Sequence, residues 1–214
     1  ILNLAIEIDE KLEKLVNYSY HEKYGYLTAC PTNVGTGLKI STLVHIPGLE
    51  MTGNLNKILN IVNNLGMNVR GVYGEGSKAE GDIYQIANNQ TLGITEKEIS
   101  KNLNLISQKI IEQERIARKY LAKNSIKIED KVYRDYGILT NAKRLSEEES
   151  IDLLSSVKLG TDLGIIKELT DKKIAELILY TKPASVQKKV GKELSVMEQE
   201  IARCEIIKQI VKED

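Results

Sequence analysis

The sequence predicts an α+β fold, in which an antiparallel β-sheet flanked by helices is followed by a small all-helical subdomain. Segments rich in β-branched residues alternate with glycine-punctuated loops before about residue 90, whereas helical periodicity fills the rest of the 214-residue chain. Strands that cluster together, apart from the long helices, are typical of α+β folds rather than doubly wound ones. We therefore expect residues 1–124 to carry the sheet and residues 125–214 to form the helical subdomain.

The first part of the chain begins with a predicted helix over residues 4–16, where Leu4, Ile8, Leu12 and Leu15 recur at helical spacing. The predicted strands are 24–29, 39–46, 67–74 and 83–88. Between the second and third strands, apolar residues at i, i+3, i+4 and i+7 from Leu55 predict a helix that ends near Gly66.

The second part of the chain is marked by capping boxes, in which Ser or Thr is followed three residues later by Glu. These occur at "TEKE", "SEEE" and "SVME", which start at Thr95, Ser146 and Ser195. The predicted helices are 95–124, 125–136, 147–158, 170–180 and 196–212. We find no internal repeat and no low-complexity tract.

Composition excludes several classes of function. The chain has 30 basic and 30 acidic residues, so a neutral balance gives no electrostatic case for direct nucleic-acid binding. No apolar run approaches the roughly 20 residues of a membrane span. Cys30 and Cys204 lie far apart, and we expect free thiols in a reducing, cytoplasmic compartment rather than a disulfide.

The stretch "YGYLTACPTNVGTGLK" places Cys30 where a predicted strand breaks into a loop. Cysteine is often buried at such a position. Here, however, Thr and Asn follow, and their donors would stabilise a thiolate that could act as an electrostatic partner of a cationic substrate. A Cys–His pair is a further alternative, although the sequence contains only His21 and His45.

Two glycine-rich loops carry charged residues that could bind an anion. In "NVGTGLK" the backbone can approach a phosphate, but the spacing fits neither a Walker loop nor a Rossmann fingerprint. Lys39 is then either a phosphate ligand or a strand-edge lysine. In "RGVYGEGS", Arg70 could bind an anion and Glu75 a cation, or the two could belong to a strand edge and a polar turn.

Together these motifs resemble the ATP:guanidino phosphotransferases, the phosphagen kinase superfamily. "CPTNVGTGLK" is similar to that family's "C-P-[ST]-N-x-G-T-G-L-R", and "IYQIAN" is similar to its "Y-D-I-S-N". The branch that the chain resembles most is that of the bacterial protein-arginine kinases. The segments that carry this likeness are "HIPGL", "GVYGEGS", "IIEQERIARKYL", "EDKVYRDYGIL" and "KLGTDLGIIKEL".

The resemblance implies a site for a guanidinium acceptor and for ATP. Cys30 would lie beside the guanidinium, and Glu75 would be one of two carboxylates that hold it. A guanidinium has a pKa above 12, so its nucleophilic nitrogen needs help in losing a proton. Magnesium would bridge the phosphates, with no metal ligand predicted in the protein. The residues implied at the ATP site are Lys39, Ile40, Ser41, Thr42, Leu43, Arg70, Gly71, Val72, Tyr73, Gly74 and Glu75.

The implied activity is transfer of the γ-phosphate of ATP to arginine residues in proteins. Residues 1–124 would be the C-terminal part of the catalytic domain, and residues 125–214 would dock protein substrates with exposed arginines and a second copy of the chain. An activator protein is a further implied partner. The family's upstream "NEEDH"-like and "S-x-R-x-R" motifs do not occur in these residues, so we expect this chain alone to be inactive.

The chain departs from the family pattern at two places. Lysine replaces arginine at Lys39, which keeps the charge but loses the bidentate fork. Near the C-terminus, "QEIARCE" aligns Glu200 and Arg203 with a phosphoarginine-sensing "R-D-x-x-R-x-A" stretch, but a solvated helix face is an alternative. Two other functions remain open: a degenerate module that binds nucleotide or phosphoarginine without catalysis, and a kinase for small free guanidines.

Overall fold

Among the described residues, strands occur only before residue 89, and the elements after it are all helices. This computed structural model describes residues 1–71, 79–123 and 125–212. In chain order the elements are α1 Leu2–Glu13, β1 Tyr20–His21, β2 Gly25–Tyr26, β3 Ser41–His45, α2 Pro47–Met51, α3 Leu55–Asn64, β4 Met67–Gly71, β5 Ile83–Asn88, α4 Glu96–Lys123, α5 Ser125–Asn141, α6 Glu147–Asp162, α7 Asp171–Leu179, α8 Pro183–Val190 and α9 Val196–Lys212. The predicted α+β class, with its helical C-terminal part, is confirmed.

The main sheet is antiparallel, with the strand order β3-β5-β4. Its register places Leu43 and Arg70 on either side of Gln85, and Val44 opposite Tyr84. Because side chains alternate along a strand, Leu43, Gln85 and Arg70 share one face of the sheet. Val44 lies on the other face, which is covered by helices, and is buried there.

Two hydrophobic cores lie on either side of residue 124. The first packs the sheet against α2, α3 and α4 and buries Val44, Ile46, Leu49, Leu55, Val62, Met67, Ile86, Leu103, Ile110 and Ala117. The second fills the helical part between α5, α6, α7 and α9, where Val132, Leu139, Leu177 and Ile207 have no exposed surface. Within the described residues, no helix is long and apolar enough to cross a bilayer.

The capping boxes at Thr95 and Ser195 form as the sequence predicts, and at Ser146 the structure shows the bond from the Glu149 amide to Ser146 Oγ. Thr95 and Glu98 bond reciprocally, since the Thr95 amide donates to Glu98 Oε2 across 2.9 Å and the Glu98 amide donates to Thr95 Oγ1 across 3.3 Å. Ser195 makes the same pair of bonds with Glu198. These bonds satisfy amides that an unprotected helix start leaves without partners.

The prediction missed two short helices and strand β1, and it made one strand too long. Helices α2 and α8, for which the sequence pattern predicts no helix, begin at Pro47 and Pro183, and proline is favoured at the first helical position. The strand predicted at 24–29 shortens to Gly25–Tyr26, which pairs with Tyr20–His21. Tyr26 also bonds to Gly35, so the chain turns away from the hairpin instead of continuing as a strand.

Candidate active site around Cys30

Cys30 lies on the surface, immediately before a 3-10 turn formed by Pro31–Asn33. Its Sγ is 2.9 Å from Thr32 Oγ1. Hydrogen bonds from the side chain and backbone of Thr32, together with the nearby charge of Lys39, lower the pKa of the Cys30 thiol. The alternative of a buried cysteine is therefore wrong for Cys30.

Cys204, the second cysteine of the chain, differs from Cys30 in its burial and in the direction of its pKa shift. Cys204 is buried with 1% of its surface exposed, and burial raises the pKa of its thiol. Both thiols are free. The structure gives no support to a Cys–His pair among the described residues. The imidazole of His45 bonds to Ser155, and that of His21 accepts from the Lys23 amide, whereas Cys30 bonds to Thr32.

The glycine loop after Cys30 is fixed by Thr91, a residue that sequence reasoning missed. Thr91 is 4% exposed, and its hydroxyl lies 2.9 Å from the carbonyl oxygen of Thr32 and 2.8 Å from that of Val34. Gly35 has φ +115°, and a Cβ there would lie 2.2 Å from the Thr91 carbonyl oxygen. The glycine is therefore required for close backbone packing, independently of any phosphate.

Lys39 is held beside the same loop by Asn88, the second residue that sequence reasoning missed. The Lys39 ammonium donates to the Asn88 carbonyl oxygen. The side chain of Asn88, 1% exposed, accepts from the Ile40 amide across 2.9 Å and donates to the Leu38 carbonyl across 3.0 Å. The signal that could have found Asn88 is its place at the end of the quoted "IYQIAN" segment.

The open face of the sheet brings together three of the residues implied at the ATP site. Arg70 Nε donates to Gln85 Oε1 across 2.9 Å, and Gln85 Nε2 donates to Ser41 Oγ across 2.8 Å. Leu43 is 58% exposed on this face. By strand alternation, Thr42 lies on the opposite face, so the structure does not bring it together with Ser41 and Arg70.

The remaining residues implied at the site are only partly placed. Gly71 is buried and pairs with Tyr84 at the end of β4. Val72, Tyr73, Gly74 and the implied carboxylate Glu75 lie outside the described residues. Within the described part of the chain, no group of three or more His, Cys, Asp or Glu side chains is arranged to hold a metal ion.

The two tail residues implied in phosphoarginine sensing are bonded within the helical part. Arg203 is 2% exposed and donates to the carbonyl oxygens of Thr181 and Leu145 across 2.8 and 2.6 Å. Glu200 forms an ion pair with Arg144 at 2.7 Å. The alternative of a solvated helix face is therefore wrong for Arg203, whose guanidinium ties α9 to the segments that precede α6 and α8.

The comparisons with known proteins agree with the resemblance. Residues 1–117 match the family profile described as "ATP:guanido phosphotransferase, C-terminal catalytic domain". This match covers more than half of the chain, which therefore belongs to the ATP:guanido phosphotransferase family. Residues 125–214 match a second profile, "Protein-arginine kinase McsB C-terminal domain".

Individual relatives match nearly the whole chain. It is 49% identical over 205 residues to a protein-arginine kinase of Halothermothrix orenii, with 95% of this chain and 59% of the relative covered. It is 44% identical over 209 residues to a protein-arginine kinase of Bacillus subtilis, with 97% of this chain and 58% of the relative covered. The chain thus spans less than two thirds of the length of these curated relatives.

Among solved structures, the chain is similar to a duplicated taurocyamine kinase from Schistosoma mansoni with bound transition-state analogue components. The TM-score is 0.46 and the sequence identity 32%, with 51% of this chain and 15% of that chain covered.

Proposed function

We propose that this protein transfers the γ-phosphoryl group of ATP to the guanidinium of arginine residues in proteins. Family membership supports phosphoryl transfer to a guanidino group, and the protein-arginine kinase relatives support a protein acceptor. The observation that carries the proposal is the surface thiol of Cys30, whose pKa is lowered by Thr32 and Lys39. A thiolate at this position would supply a negative charge beside a cationic acceptor.

The proposed reaction needs one carboxylate in addition to the thiolate. A guanidinium nitrogen attacks the γ-phosphorus, the bond to the ADP oxygen breaks, and one proton leaves the nitrogen. We assign that proton to Glu75 and assign to Cys30 the task of holding and orienting the cation. Because phosphoryl transfer depends chiefly on alignment and on charge neutralisation, Cys30 forms no covalent bond in this scheme.

The nucleotide is assigned to the open face of the sheet and the segments beside it. Lys39 and Arg70 would supply positive charge to the phosphates, and Gln85 links Arg70 to Ser41 by two hydrogen bonds. Ile40, Leu43 and residues 71–75 complete the proposed ATP site, whereas Thr42, on the opposite face of the sheet, is left out of it. Mg²⁺ prefers to share its shell between water, phosphates and few protein ligands, so we treat it as part of the nucleotide substrate.

We extend the proposal to the roles of the two parts. Residues 1–124 belong to the catalytic domain, whereas residues 125–214 dock acceptor proteins and a second copy of the chain in the cytoplasm. An activator protein is part of the same proposal. Phosphoarginine binding by Glu200 and Arg203 stays a prediction, and it would require the carbonyl bonds of Arg203 to be exchanged for bonds to the ligand.

The test is phosphoarginine formation by the complete gene product with ATP, magnesium and an arginine-rich acceptor protein, read by mass spectrometry as acid-labile phosphate on arginine. We expect product with the wild type and with Cys204→Ala, because Cys204 is buried in the second core. We expect loss of product with Cys30→Ala and with Glu75→Ala. Equal activity of Cys30→Ala and Cys204→Ala would contradict the assigned role of Cys30.

A second candidate function is nucleotide binding without catalysis. The ammonium of Lys39 donates to the Asn88 carbonyl, so part of its donor capacity is already used within the protein. Calorimetry with ATP, read together with the phosphoarginine assay, would separate the two candidates. If the protein is a degenerate module, the wild type binds ATP but forms no phosphoarginine. The isolated chain of residues 1–214 is expected to be inactive, and detectable transfer by it would contradict that expectation.

A further inference from the structure

A row of three polar side chains crosses the open face of the sheet, with one residue on each strand. Arg70 of β4 donates through Nε to Gln85 Oε1 across 2.9 Å, and Gln85 Nε2 donates to Ser41 Oγ of β3 across 2.8 Å. Gln85 faces Arg70 directly in the register of β5 and β4. Because β5 is the central strand of this sheet, the backbone that carries Gln85 is held from both sides.

The direction of the Gln85 amide is fixed by its two partners. A guanidinium can only donate hydrogen bonds, so the amide oxygen must face Arg70 and the amide nitrogen must face Ser41. Ser41 Oγ accepts in that bond, which does not use its hydroxyl hydrogen. Both ends of the row can therefore donate to a ligand on the open face. A ligand that meets both ends must supply acceptor oxygens, as the phosphates of a nucleotide do.

Gln85 restrains the side chain of Arg70 without using all of its donors. The bond takes the N–H of Nε, whereas the N–H groups on the two terminal nitrogens have no part in it. Those terminal groups can form a bidentate bond to phosphate oxygens. A long side chain that is held before the ligand arrives loses less entropy on binding. Gln85 thus prepares Arg70 for an anion and leaves it the donors that the anion needs.

The neutral amide also leaves the charge of Arg70 uncompensated. A carboxylate at this position would bond to the guanidinium more strongly, but its negative charge would offset the positive charge that attracts an anion. Among the described residues, the arginines in ion pairs are Arg118, Arg134 and Arg144, and Arg70 is not one of them. Arg70 is therefore held by a hydrogen bond that costs it none of its charge.

We propose that Gln85 is a positioning residue for the nucleotide, which orients the guanidinium of Arg70 toward the phosphates of ATP. The inference rests on the proposed function, through the assignment of Arg70 to those phosphates. Gln85 itself is assigned no contact with ATP. Its side chain should therefore affect the affinity for nucleotide chiefly through Arg70.

The first test measures nucleotide affinity in the complete gene product, by calorimetry with Mg²⁺ and the β,γ-imido analogue of ATP. Gln85→Leu removes both hydrogen bonds, and we expect it to raise Kd about tenfold. Gln85→Glu keeps an acceptor for Arg70 but adds a negative charge beside it, so we expect a rise of about tenfold here as well. Gln113→Glu is the matched control and should keep the wild-type Kd. Gln113 is exposed on α4, which packs on the opposite face of the sheet.

A double-mutant cycle tests whether Gln85 acts through Arg70 or through the fold. Gln85→Leu should raise Kd about tenfold in the wild type but less than about twofold in the Arg70→Met background, because the guanidinium that it orients is then absent. Equal fold-changes in the two backgrounds would assign the effect to a general disturbance of the sheet. That result would overturn the positioning role even if Gln85→Leu weakens binding.

These measurements read nucleotide binding and do not depend on the formation of phosphoarginine. Binding by the wild type with the same Kd in both Gln85 variants would overturn this inference and leave the proposed function intact. Failure of the wild type to bind the analogue would instead overturn the nucleotide assignment within the proposed function. Binding without phosphoarginine would overturn the transfer reaction alone, and the comparison of the Gln85 variants would still decide the role of Gln85.

Discussion

Arg118 Nε donates to Oε1 of Glu114, four residues earlier on α4, across 2.6 Å. The two oxygens of Glu114 also accept from the amides of Gly48 and Leu49, across 2.9 and 2.8 Å. A buried carboxylate therefore caps the start of α2. Arg118 continues to Asp162 Oδ2 at 2.7 Å, so the network joins α2, α4 and α6.

Removing the carboxylate of Glu114 should destabilise the fold strongly. Its side chain is 6% exposed, and Glu114→Ala leaves the Gly48 and Leu49 amides without their acceptor and removes one of the two carboxylates that pair with Arg118. We expect a loss of about 3–5 kcal/mol in the free energy of unfolding, measured in urea. Glu112→Ala is the control, because Glu112 pairs with Lys109 on the surface and such a pair contributes only about 0–1 kcal/mol. Similar losses of unfolding free energy in both variants would contradict the role of Glu114 as a buried acceptor.

Two helical glycines should respond in opposite directions to substitution by alanine. At Gly160 of α6, a Cβ would lie 2.3 Å from Val132 Cγ1 on α5, and Val132 is fully buried. At Gly137 of α5, a Cβ meets nothing within 4 Å among the described residues. We expect Gly160→Ala to lose about 1–3 kcal/mol by overpacking. Gly137→Ala should gain about 1 kcal/mol from helix propensity. Thermal unfolding measures both, and a gain at Gly160 would contradict the close packing.

Much of the fold could be predicted because it depends on local patterns. The apolar spacing from Leu55 and the capping boxes at Thr95 and Ser195 act within one or two helical turns, and the structure shows the corresponding elements. The two helices missed at Pro47 and Pro183 are short, and a proline that opens a helix has the same local signature as one that ends a strand.

The candidate site could be predicted only in part, because its supports come from distant residues. The motif around Cys30 identified the thiol, and the hydrogen bonds that lower the pKa of this thiol come from Thr32, two residues later. Thr91 and Asn88, however, reach the loop from more than 45 residues away, as shown by separations of 59 and 48 residues. No periodicity in the sequence encodes such contacts, so they emerge only from the tertiary fold.

Stability should fall in acid because of His45. Burial and the charge of Arg118 lower the pKa of His45 from 6.5 to about 4. Between these values the unfolded chain binds the proton and the folded chain does not, so stability is lost as pH falls from about 6.5 to 4. The loss attributable to this group is at most about 3 kcal/mol.

The measurement is urea unfolding at pH 7 and pH 4 for the wild type, His45→Gln and the surface control His21→Gln. Burial raises the pKa of Asp82, which opposes the effect of His45 near pH 4, but Asp82 is present in all three proteins. His45→Gln should therefore lose less stability on acidification than the wild type. Parallel losses in the wild type and His45→Gln would rule out the buried imidazole as the cause.

The thiol of Cys30 should react faster near neutral pH than an ordinary cysteine. Thr32→Val removes the side-chain hydrogen bond that lowers the pKa of Cys30, so the apparent pKa of alkylation should rise. Thr32→Ser keeps the hydroxyl and should retain the wild-type profile. Lys39→Gln removes a smaller electrostatic contribution and should shift the pKa upward by less than Thr32→Val.

The measurement is the rate of iodoacetamide labelling at Cys30 against pH, read by peptide mass spectrometry. Cys204 serves as an internal reference, because its burial should make labelling slow in the folded protein. Identical profiles for Thr32→Val and Thr32→Ser would show that the Thr32 hydroxyl does not stabilise the thiolate. Since the anionic thiolate is what the proposed reaction places beside the guanidinium, that result would also remove the observation on which the proposed function depends.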